Sequence, residues 1–267
     1  MKIGRYALSA VLGIALASPA LADDVKLPSN ISWTAYGTTS SGYAQSVGLG
    51  QMLKKRYNVD LRIIPGKNDV SRMAPLRDGK VEYCACGIAV YFGQEGVFLF
   101  AHKDWGPQPL QMLASATGAN NLGIATAADA NIKTLADLKG KRIPWVRAGD
   151  ALNWNASALL AFAGLTWDDV EKVEVSGFGQ SFDAIINGQA DAAVTSTVSG
   201  APTKLAASPR GLFWPPIPHN DAEGWARMRK VHPAFSKHIA TEAANIDKDN
   251  PHEGATYTYQ ALVTNAR

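Results

Sequence analysis

The 267-residue sequence has only two cysteines, no cluster of basic residues, and no long apolar stretch after its first residues. Two cysteines are too few for the disulfide framework of a small secreted protein. The charges are interspersed and sum to +3, so no nucleic-acid partner is expected, since phosphate contacts need clustered Lys and Arg. No later segment is apolar enough to predict a membrane span. These absences argue against a small disulfide-bonded protein, a nucleic-acid-binding protein and a membrane-spanning protein.

The first residues have the layout of a secretory signal peptide. Lys2 and Arg5 precede the apolar run of residues 6–17, and the small-residue segment 18–22 follows. The alternative, a membrane anchor, fits less well because the run is short and rich in Ala, Ser and Gly. We predict cleavage after Ala22, a periplasmic mature protein, and a mature net charge of about +1.

Cys84 and Cys86 are two positions apart, so on a strand they share a face. A bridge between such close positions is predicted to be strained. The interpretation favoured is two small buried side chains, and the alternative is a vicinal redox pair.

Strand and helix patterns alternate in two blocks, residues 31–90 and residues 141–200. The first block has strands at 31–36, 60–64 and 81–86, a helix at 43–57, and a short helix interrupted at Pro75. The second has strands at 142–146, 172–175 and 191–194, and helices at 151–163, with Asp150 as its N-cap, and at 181–187. Capping boxes are predicted at Thr134 and Thr166. Such alternation predicts parallel sheets, hence an α/β fold of two lobes joined by the extended segment 110–126.

Six loops rich in Gly and hydroxyl side chains follow the predicted strands. They are residues 37–42, 66–71, 87–91, 147–151, 176–181 and 195–199. In open α/β sheets the ligand lies beyond the carboxyl ends of the strands, and helix N-termini there favour an anionic group. Any one loop is explained better as an ordinary turn. The set of six predicts a ligand cleft between the lobes.

Arg147, at the end of a predicted strand, is the candidate to hold a ligand carboxylate in a two-pronged ion pair; the alternative is a solvated side chain beside Asp150. Lys67 and Arg72 are weaker candidates for the same role. The full set of predicted ligand-binding residues is Tyr36, Thr38, Ser40, Ser41, Tyr43, Asn68, Ser71, Arg147, Asp150, Phe178, Ser181 and Thr195.

The sequence offers little support for catalysis or for a metal. The five histidines lack metal-ligand spacing, and no nucleophile motif is present. Gly177 and Gly179 partly match a dinucleotide fingerprint, but Phe182 replaces its third glycine. We therefore predict no enzymatic activity, no cofactor and no metal. The alternative, a thiol enzyme, would use Cys84 or Cys86 with a distant histidine.

The chain resembles the TAXI-type substrate-binding proteins of tripartite (TRAP) transporters. The segments that carry the resemblance are residues 31–43, 134–143, 162–170 and 188–194. They occur in the family's order over most of residues 30–200. Two features depart from the family pattern: residues 39–41 are Thr-Ser-Ser, where glycine is usual, and members continue into helical structure after the strand-like residues 259–263. If that structure is absent, lobe I is expected to expose apolar surface.

The resemblance implies a type II periplasmic-binding-protein fold whose two lobes close over a small ligand. Lobe I is expected to comprise residues 23–122 with 218–267, and lobe II residues 123–217. The implied ligand is a small organic carboxylate or an amino acid, and the implied partners are the membrane permease subunits of a TRAP transporter. A receptor of an ABC importer has the same fold and is the main alternative; a periplasmic enzyme is the other.

Overall fold

The computed structural model of the protein describes residues 26–115, 120–257 and 261–266. The predicted signal peptide and its cleavage site lie outside the described residues. Across the described ranges, no helix is long and apolar enough to cross a membrane.

The described residues form twelve strands and seven α-helices. The strands are β1 (Asn30–Ala35), β2 (Asp60–Pro65), β3 (Tyr83–Cys86), β4 (Leu110–Ser115), β5 (Leu122–Ala127), β6 (Arg142–Val146), β7 (Glu171–Val175), β8 (Ala192–Ser196), β9 (Leu212–Phe213), β10 (Ser236–Ala240), β11 (His252–Thr256) and β12 (Ala261–Asn265). The helices are α1 (Ser41–Tyr57), α2 (Asp69–Arg77), α3 (Ala89–Glu95), α4 (Asp150–Phe162), α5 (Phe178–Ile186), α6 (Gly200–Ala206) and α7 (Ala222–Val231).

The first sheet has the strand order β2-β1-β3-β12-β4. β1 pairs in parallel with β2 and β3, which confirms the prediction for residues 31–90. β12 runs antiparallel to both β3 and β4. This sheet with α1, α2 and α3 is called lobe I below.

The second sheet has the order β10-β11-β5-β8, with β9 also paired to β5, and all its pairs are antiparallel. β6 and β7 form a separate parallel pair. These strands with α4 to α7 are called lobe II. The parallel arrangement predicted for residues 141–200 thus holds for β6 and β7 only. β8 instead pairs with β5, a fully buried strand from the segment predicted to be a connection.

The strand pairing divides residues 218–267 between the lobes, which differs from their predicted assignment to lobe I. α7 packs on α4, with the rings of Phe162 and Trp225 6.1 Å apart, and β10 and β11 extend the second sheet. Among the described residues of this stretch, only β12 joins the first sheet. The predicted lobe boundaries and the strand pairing therefore disagree over residues 218–257, and the chain crosses between the lobes before both β5 and β12.

The two faces of the first sheet are covered unequally. On one face Cys84 and Cys86 are fully buried against α2 and α3, and their sulfurs are joined in a disulfide. Burial of the two cysteines was predicted. The sequence left open whether they are two separate side chains or a bonded pair, and in the structure they are bonded. On the other face α1 covers Trp33, which is buried.

Lobe I also exposes apolar side chains. They are Leu49 and Met52 on α1 and Met112 and Leu113 on β4, all at least 37% exposed. The spacing of apolar residues predicted α1 as a helix, and that prediction is confirmed. The residues of α1 that are buried, however, are the small residues Ser41, Gly42 and Ser46.

Local capping fixes several helix starts. The predicted capping boxes are present: Asp137 accepts from the backbone of Thr134, and Asp169 from that of Thr166. The predicted N-cap of α4 is wrong by one residue, because Gly149 is the cap and Asp150 is the first helical residue. The Asp150 carboxylate is engaged elsewhere and accepts from the Leu99 N–H at 3.0 Å.

Two histidines are buried and neutral. Burial lowers the pKa of His232 to about 4. Burial also lowers the pKa of His252, whose Nε2 lies 3.1 Å from the Pro215 carbonyl while Nδ1 lies 2.9 Å from the Asn121 amide nitrogen. The Asn121 amide donates, so Nδ1 must be the unprotonated nitrogen.

Stability is expected to fall as the solution is acidified below about pH 6.5. In the unfolded chain these histidines take up a proton near that pH, whereas in the folded chain they do so only at lower pH, so acid favours unfolding. The His232 contribution is fully present above about pH 6.5 and is lost by about pH 4, a change of at most about 3 kcal/mol. Urea unfolding at a series of pH values measures it. His232→Phe should flatten the profile, and His102→Gln, at an exposed position, should not; equal slopes in all three proteins would contradict the assignment.

Candidate functional site

A cavity of about 350 Å³ lies between the two lobes, at the ends of several strands. It is lined by Gly37, Thr38, Thr39, Pro65, Gly66 and Lys67 from lobe I and by Phe178, Gly179, Gln180, Phe182, Asp183, Ala201 and Lys204 from lobe II. Cavities of a few hundred cubic ångströms hold small organic molecules. We call this space the cleft cavity.

The start of α1 forms one wall and contacts lobe II directly. Ser40 caps the helix: its Oγ accepts from the Tyr43 N–H at 3.1 Å and donates to the Gly37 carbonyl at 2.7 Å. The Ser41 N–H reaches the Ser199 Oγ across the lobe boundary at 3.4 Å. The Ala201 N–H donates to the Thr39 carbonyl at 3.2 Å. Two of the six predicted loops, 37–42 and 195–199, therefore meet.

The starts of α2 and α4 are joined by a second set of contacts between the lobes. The Asn68 amide donates to the Arg147 carbonyl at 3.3 Å, and the Asp69 N–H donates to the Ala148 carbonyl at 3.0 Å. The Asp69 carboxylate accepts from the Ala151 N–H at 2.7 Å. Since α4 has no side-chain cap of its own, a carboxylate from lobe I serves the first turn of a helix in lobe II.

Asp69 also forms an ion pair with Arg72, and both side chains are almost completely buried. The Arg72 guanidinium carbon lies 3.7 Å from the centroid of the Tyr36 ring, an arrangement favourable to a cation. Burial raises the pKa of the Asp69 carboxyl, and the charge of Arg72 opposes that rise. The pair places two charges in the interior beside the contact between α2 and α4.

The start of α5 approaches lobe I most closely at Gly177. A β-carbon at that position would lie 2.8 Å from the Lys67 carbonyl oxygen and 3.1 Å from the Lys67 Cβ. Contacts that short are repulsive, so the lobes can approach to this distance only because residue 177 has no side chain. No side chain caps α5, whose first turn lines the cleft cavity.

The charges at the cleft cavity favour an anion. Lys67 has no carboxylate partner among the described residues. Lys204 is paired with Asp183 at 2.9 Å, and both are largely exposed. The positive end of α5 adds to the unpaired charge of Lys67. The remaining lining groups are apolar or carry hydroxyl and amide groups.

The structure places the twelve predicted ligand-binding residues in three ways. Thr38 and Phe178 line the cleft cavity. Others make the contacts around it: Ser40, Ser41 and Asn68 at the lobe boundary, Tyr36 against Arg72, and Ser71 in a capping box with Asn68. Tyr43 is half-buried on α1, while Ser181 and Thr195 are buried with their hydroxyls directed to backbone carbonyls. Their roles toward a ligand stay predictions.

Arg147 and Asp150 lie apart from the cavity lining. The Arg147 side chain is 75% exposed and bonds to Glu174 at 3.0 Å. Glu174 belongs to β7, the strand paired with β6, and β6 ends just before Arg147. The Arg147 side chain is therefore solvated, as in the alternative interpretation, but its ion-pair partner is Glu174 and not Asp150. Asp150 bonds to the backbone of Leu99, as described above.

Several residues of this region lie outside the predicted set. Lys67 and Arg72 rank only as weaker candidates in the sequence, and Asp69 appears there only as part of a loop. Lys204 gives no local signal, because it reaches Asp183 from a different helix, 21 positions away. The sequence locates the loops correctly, but it does not show which of their side chains face each other across the lobes.

Comparison with known proteins identifies relatives of this architecture. The family described as NMT1/THI5 like matches residues 55–213. Among solved structures, the arginine-bound ArgBP of T. maritima superposes with a TM-score of 0.51 at 14% identity, covering 89% of each chain. The amino acid ABC transporter substrate-binding protein AbpA of Streptococcus pneumoniae, bound to L-arginine, gives 0.50 at 9% identity and covers 89% of this chain and 82% of that one.

A further match is the periplasmic aliphatic sulphonate binding protein SsuA of Escherichia coli, with a TM-score of 0.48 at 20% identity and coverage of 70% of this chain. This chain spans 56% of the length of that protein. The arginine-binding matches show the fold of periplasmic solute-binding proteins, a mixed α/β fold, as predicted.

Proposed function

Because the chain belongs to the NMT1/THI5-like family, we propose that it is a periplasmic solute-binding protein that captures a small organic anion in the cleft cavity. The observation that carries this proposal is the cleft cavity itself, a space of about 350 Å³ with walls from both lobes. A solute that touches both walls binds the closed arrangement better than an open one, and so shifts the population toward it. The role proposed is capture without chemistry.

An anionic ligand is favoured by the cavity's own residues. Lys67 supplies a positive charge with no carboxylate partner among the described residues, and the uncapped start of α5 supplies backbone N–H groups. Thr38 and Thr39 add hydroxyls from the opposite wall. The neighbouring pair of Lys204 and Asp183 is neutral overall. The two arginine-binding structures share only the fold with this chain, so their ligand is not transferred.

Charge reversal at Lys67 tests the proposal. We expect carboxylates or sulphonates, but not neutral polar solutes, to raise the melting temperature in a concentration-dependent way. Lys67→Glu should weaken that ligand about tenfold or more, since it turns the attraction into repulsion. Isothermal titration calorimetry measures the affinity.

Arg147→Glu is the matched comparison, with the same charge change at an exposed, paired position. We expect a loss of less than about threefold there. A loss equal to that of Lys67→Glu would support the predicted contact of Arg147 with the ligand. An affinity that neither substitution changes would contradict an anionic ligand. A well-folded protein whose melting temperature rises with no solute in a broad panel would contradict the binding function.

The partner we propose is the membrane part of an ABC importer, the transporter class named for the S. pneumoniae protein of the same fold. The alternative is a TRAP-type transporter, which the resemblance of residues 30–200 implies. Both would receive the solute from the closed protein. Co-purification of the ligand-loaded protein with each type of permease separates them, since a stable complex should form with one type only.

A further inference from the structure

A second cavity, of about 650 Å³, lies elsewhere between the lobes and shares no lining residue with the cleft cavity. Lobe I contributes Tyr91 and Phe98, and lobe II contributes Trp154, His232 and Pro233. None of its lining residues carries a carboxylate, an ammonium or a guanidinium group. We call this space the aromatic cavity.

His232 borders the aromatic cavity and is buried without a hydrogen-bond partner. Its ring stacks on Trp154, with centroids 4.1 Å apart and planes 21° apart, and contacts Phe235 and Tyr257 at 4.5 and 4.9 Å. Neither ring nitrogen has a hydrogen-bond partner on another described residue, although the backbone of His232 itself lies near enough to interact with the ring. A neutral imidazole has one donor and one acceptor, and native interiors rarely leave such groups unsatisfied. The described residues therefore leave the His232 ring open to a partner that they do not supply.

Phe98 is held in a costly conformation at the same cavity. Its φ of +54° is in the left-handed region, which aromatic residues rarely adopt. The ring is 52% exposed, and the Tyr91 ring is 51% exposed. The next residue, Leu99, is fixed to lobe II by its bond to Asp150. Two large rings are thus presented at an open cavity rather than packed into the core.

We propose that the aromatic cavity is a second binding site, for a neutral planar heteroaromatic solute that stacks on these rings and hydrogen-bonds to His232. A charged solute would lose its hydration with no counter-charge among the lining residues. A plain hydrocarbon would leave His232 unsatisfied. This site is independent of the cleft cavity, which carries the unpaired Lys67. Because His232 is shielded from water, its ring must turn toward the cavity to reach the solute, and a test must detect that turn.

Indazole is a suitable probe, since it is neutral and planar and carries one N–H donor and one nitrogen acceptor. In protein with ¹⁵N-labelled histidine, titration with indazole should shift the ring-nitrogen resonances of His232 saturably, at sub-millimolar to millimolar concentration. The resonances of His252, which is buried but fully bonded, should stay in place. No saturable shift at His232 up to the solubility limit of indazole would overturn the proposal, and so would an equal shift at both histidines.

Variants give a second readout through the preference for indazole over indene, which has the same shape but no polar atom. We expect His232→Phe to reduce the wild-type preference by about three- to tenfold, the usual worth of one hydrogen bond. Phe98→Ala should weaken both probes alike, because it removes stacking area. Lys67→Glu should leave indazole binding unchanged, so failure of the cleft proposal and failure of this one are distinguishable. An unchanged preference in folded His232→Phe would overturn the role of His232.

Discussion

Asp69→Asn is expected to lower the free energy of unfolding by about 3–5 kcal/mol, an effect far larger than its conservative shape suggests. Asparagine keeps an oxygen that can accept from the Ala151 N–H, so the contact with the start of α4 can persist. What is lost is the negative charge beside Arg72, which is 2% exposed and has its Nε unpartnered among the described residues. A guanidinium buried without a counter-charge is costly. Urea unfolding followed by circular dichroism measures the change.

Two further variants isolate the cause. Asp69→Asn combined with Arg72→Met should recover most of the loss, because a buried ion pair replaced by neutral groups is often close to neutral in stability. Asp60→Asn removes the same charge from an exposed pair with Lys54, and there we expect no more than about 0.5 kcal/mol. If the double variant is as unstable as Asp69→Asn, the buried charge is not the cause.

Gly177→Ala is expected to weaken binding in the cleft cavity about tenfold or more while leaving each lobe folded. The added methyl group would lie 2.8 Å from the Lys67 carbonyl, so the lobes must separate at that point. Because a ligand's apparent affinity falls with the population of the closed arrangement, the loss appears in affinity rather than in stability. The backbone of Gly177, with φ of 179°, is extended and suits alanine, so no local strain is added. Calorimetry gives the affinity, and small-angle X-ray scattering should give a larger radius of gyration.

Gly48→Ala is the control, at an exposed position of α1 where no atom lies within 4 Å of the added carbon. It should leave both affinity and radius of gyration unchanged. If Gly177→Ala behaves in the same way, the close approach of Gly177 to Lys67 does not limit closure.

The parts of the fold that local sequence determines were predictable, and those that depend on long-range pairing were not. The short apolar segment 143–146 located β6, and hydroxyl–carboxylate spacing located the capped turn after Thr134, because both signals lie within a few residues. The same signals cannot show that β8 pairs with β5 rather than with β6. That pairing depends on where the distant segment 122–127 lies after the chain has crossed from lobe I. The return of β12 to the first sheet has no local signal either.

The candidate site shows the same limit at the level of side chains. The loops at residues 37–42 and 66–71 could be predicted as parts of a cleft, because strand ends converge in an α/β fold. Arg147 was favoured over Lys67 because it follows a strand directly. In the structure it bonds to Glu174 on the adjacent strand, whereas Lys67 reaches the cavity because its loop bends toward Gly177. Such choices depend on the direction of each side chain, which spacing alone does not encode.

The position of β12 in the first sheet also constrains when the protein can fold. β12 lies between β3 and β4, and the Thr264 hydroxyl bonds to the Glu82 carbonyl, 182 positions earlier in the chain. Until residues 261–265 leave the ribosome, β3 and β4 have no strand between them, and lobe I cannot close its sheet. Pairing over such a separation is slow, because the loop must be closed before the contacts form. A nascent chain therefore cannot complete the first sheet before residues 261–265 have been made.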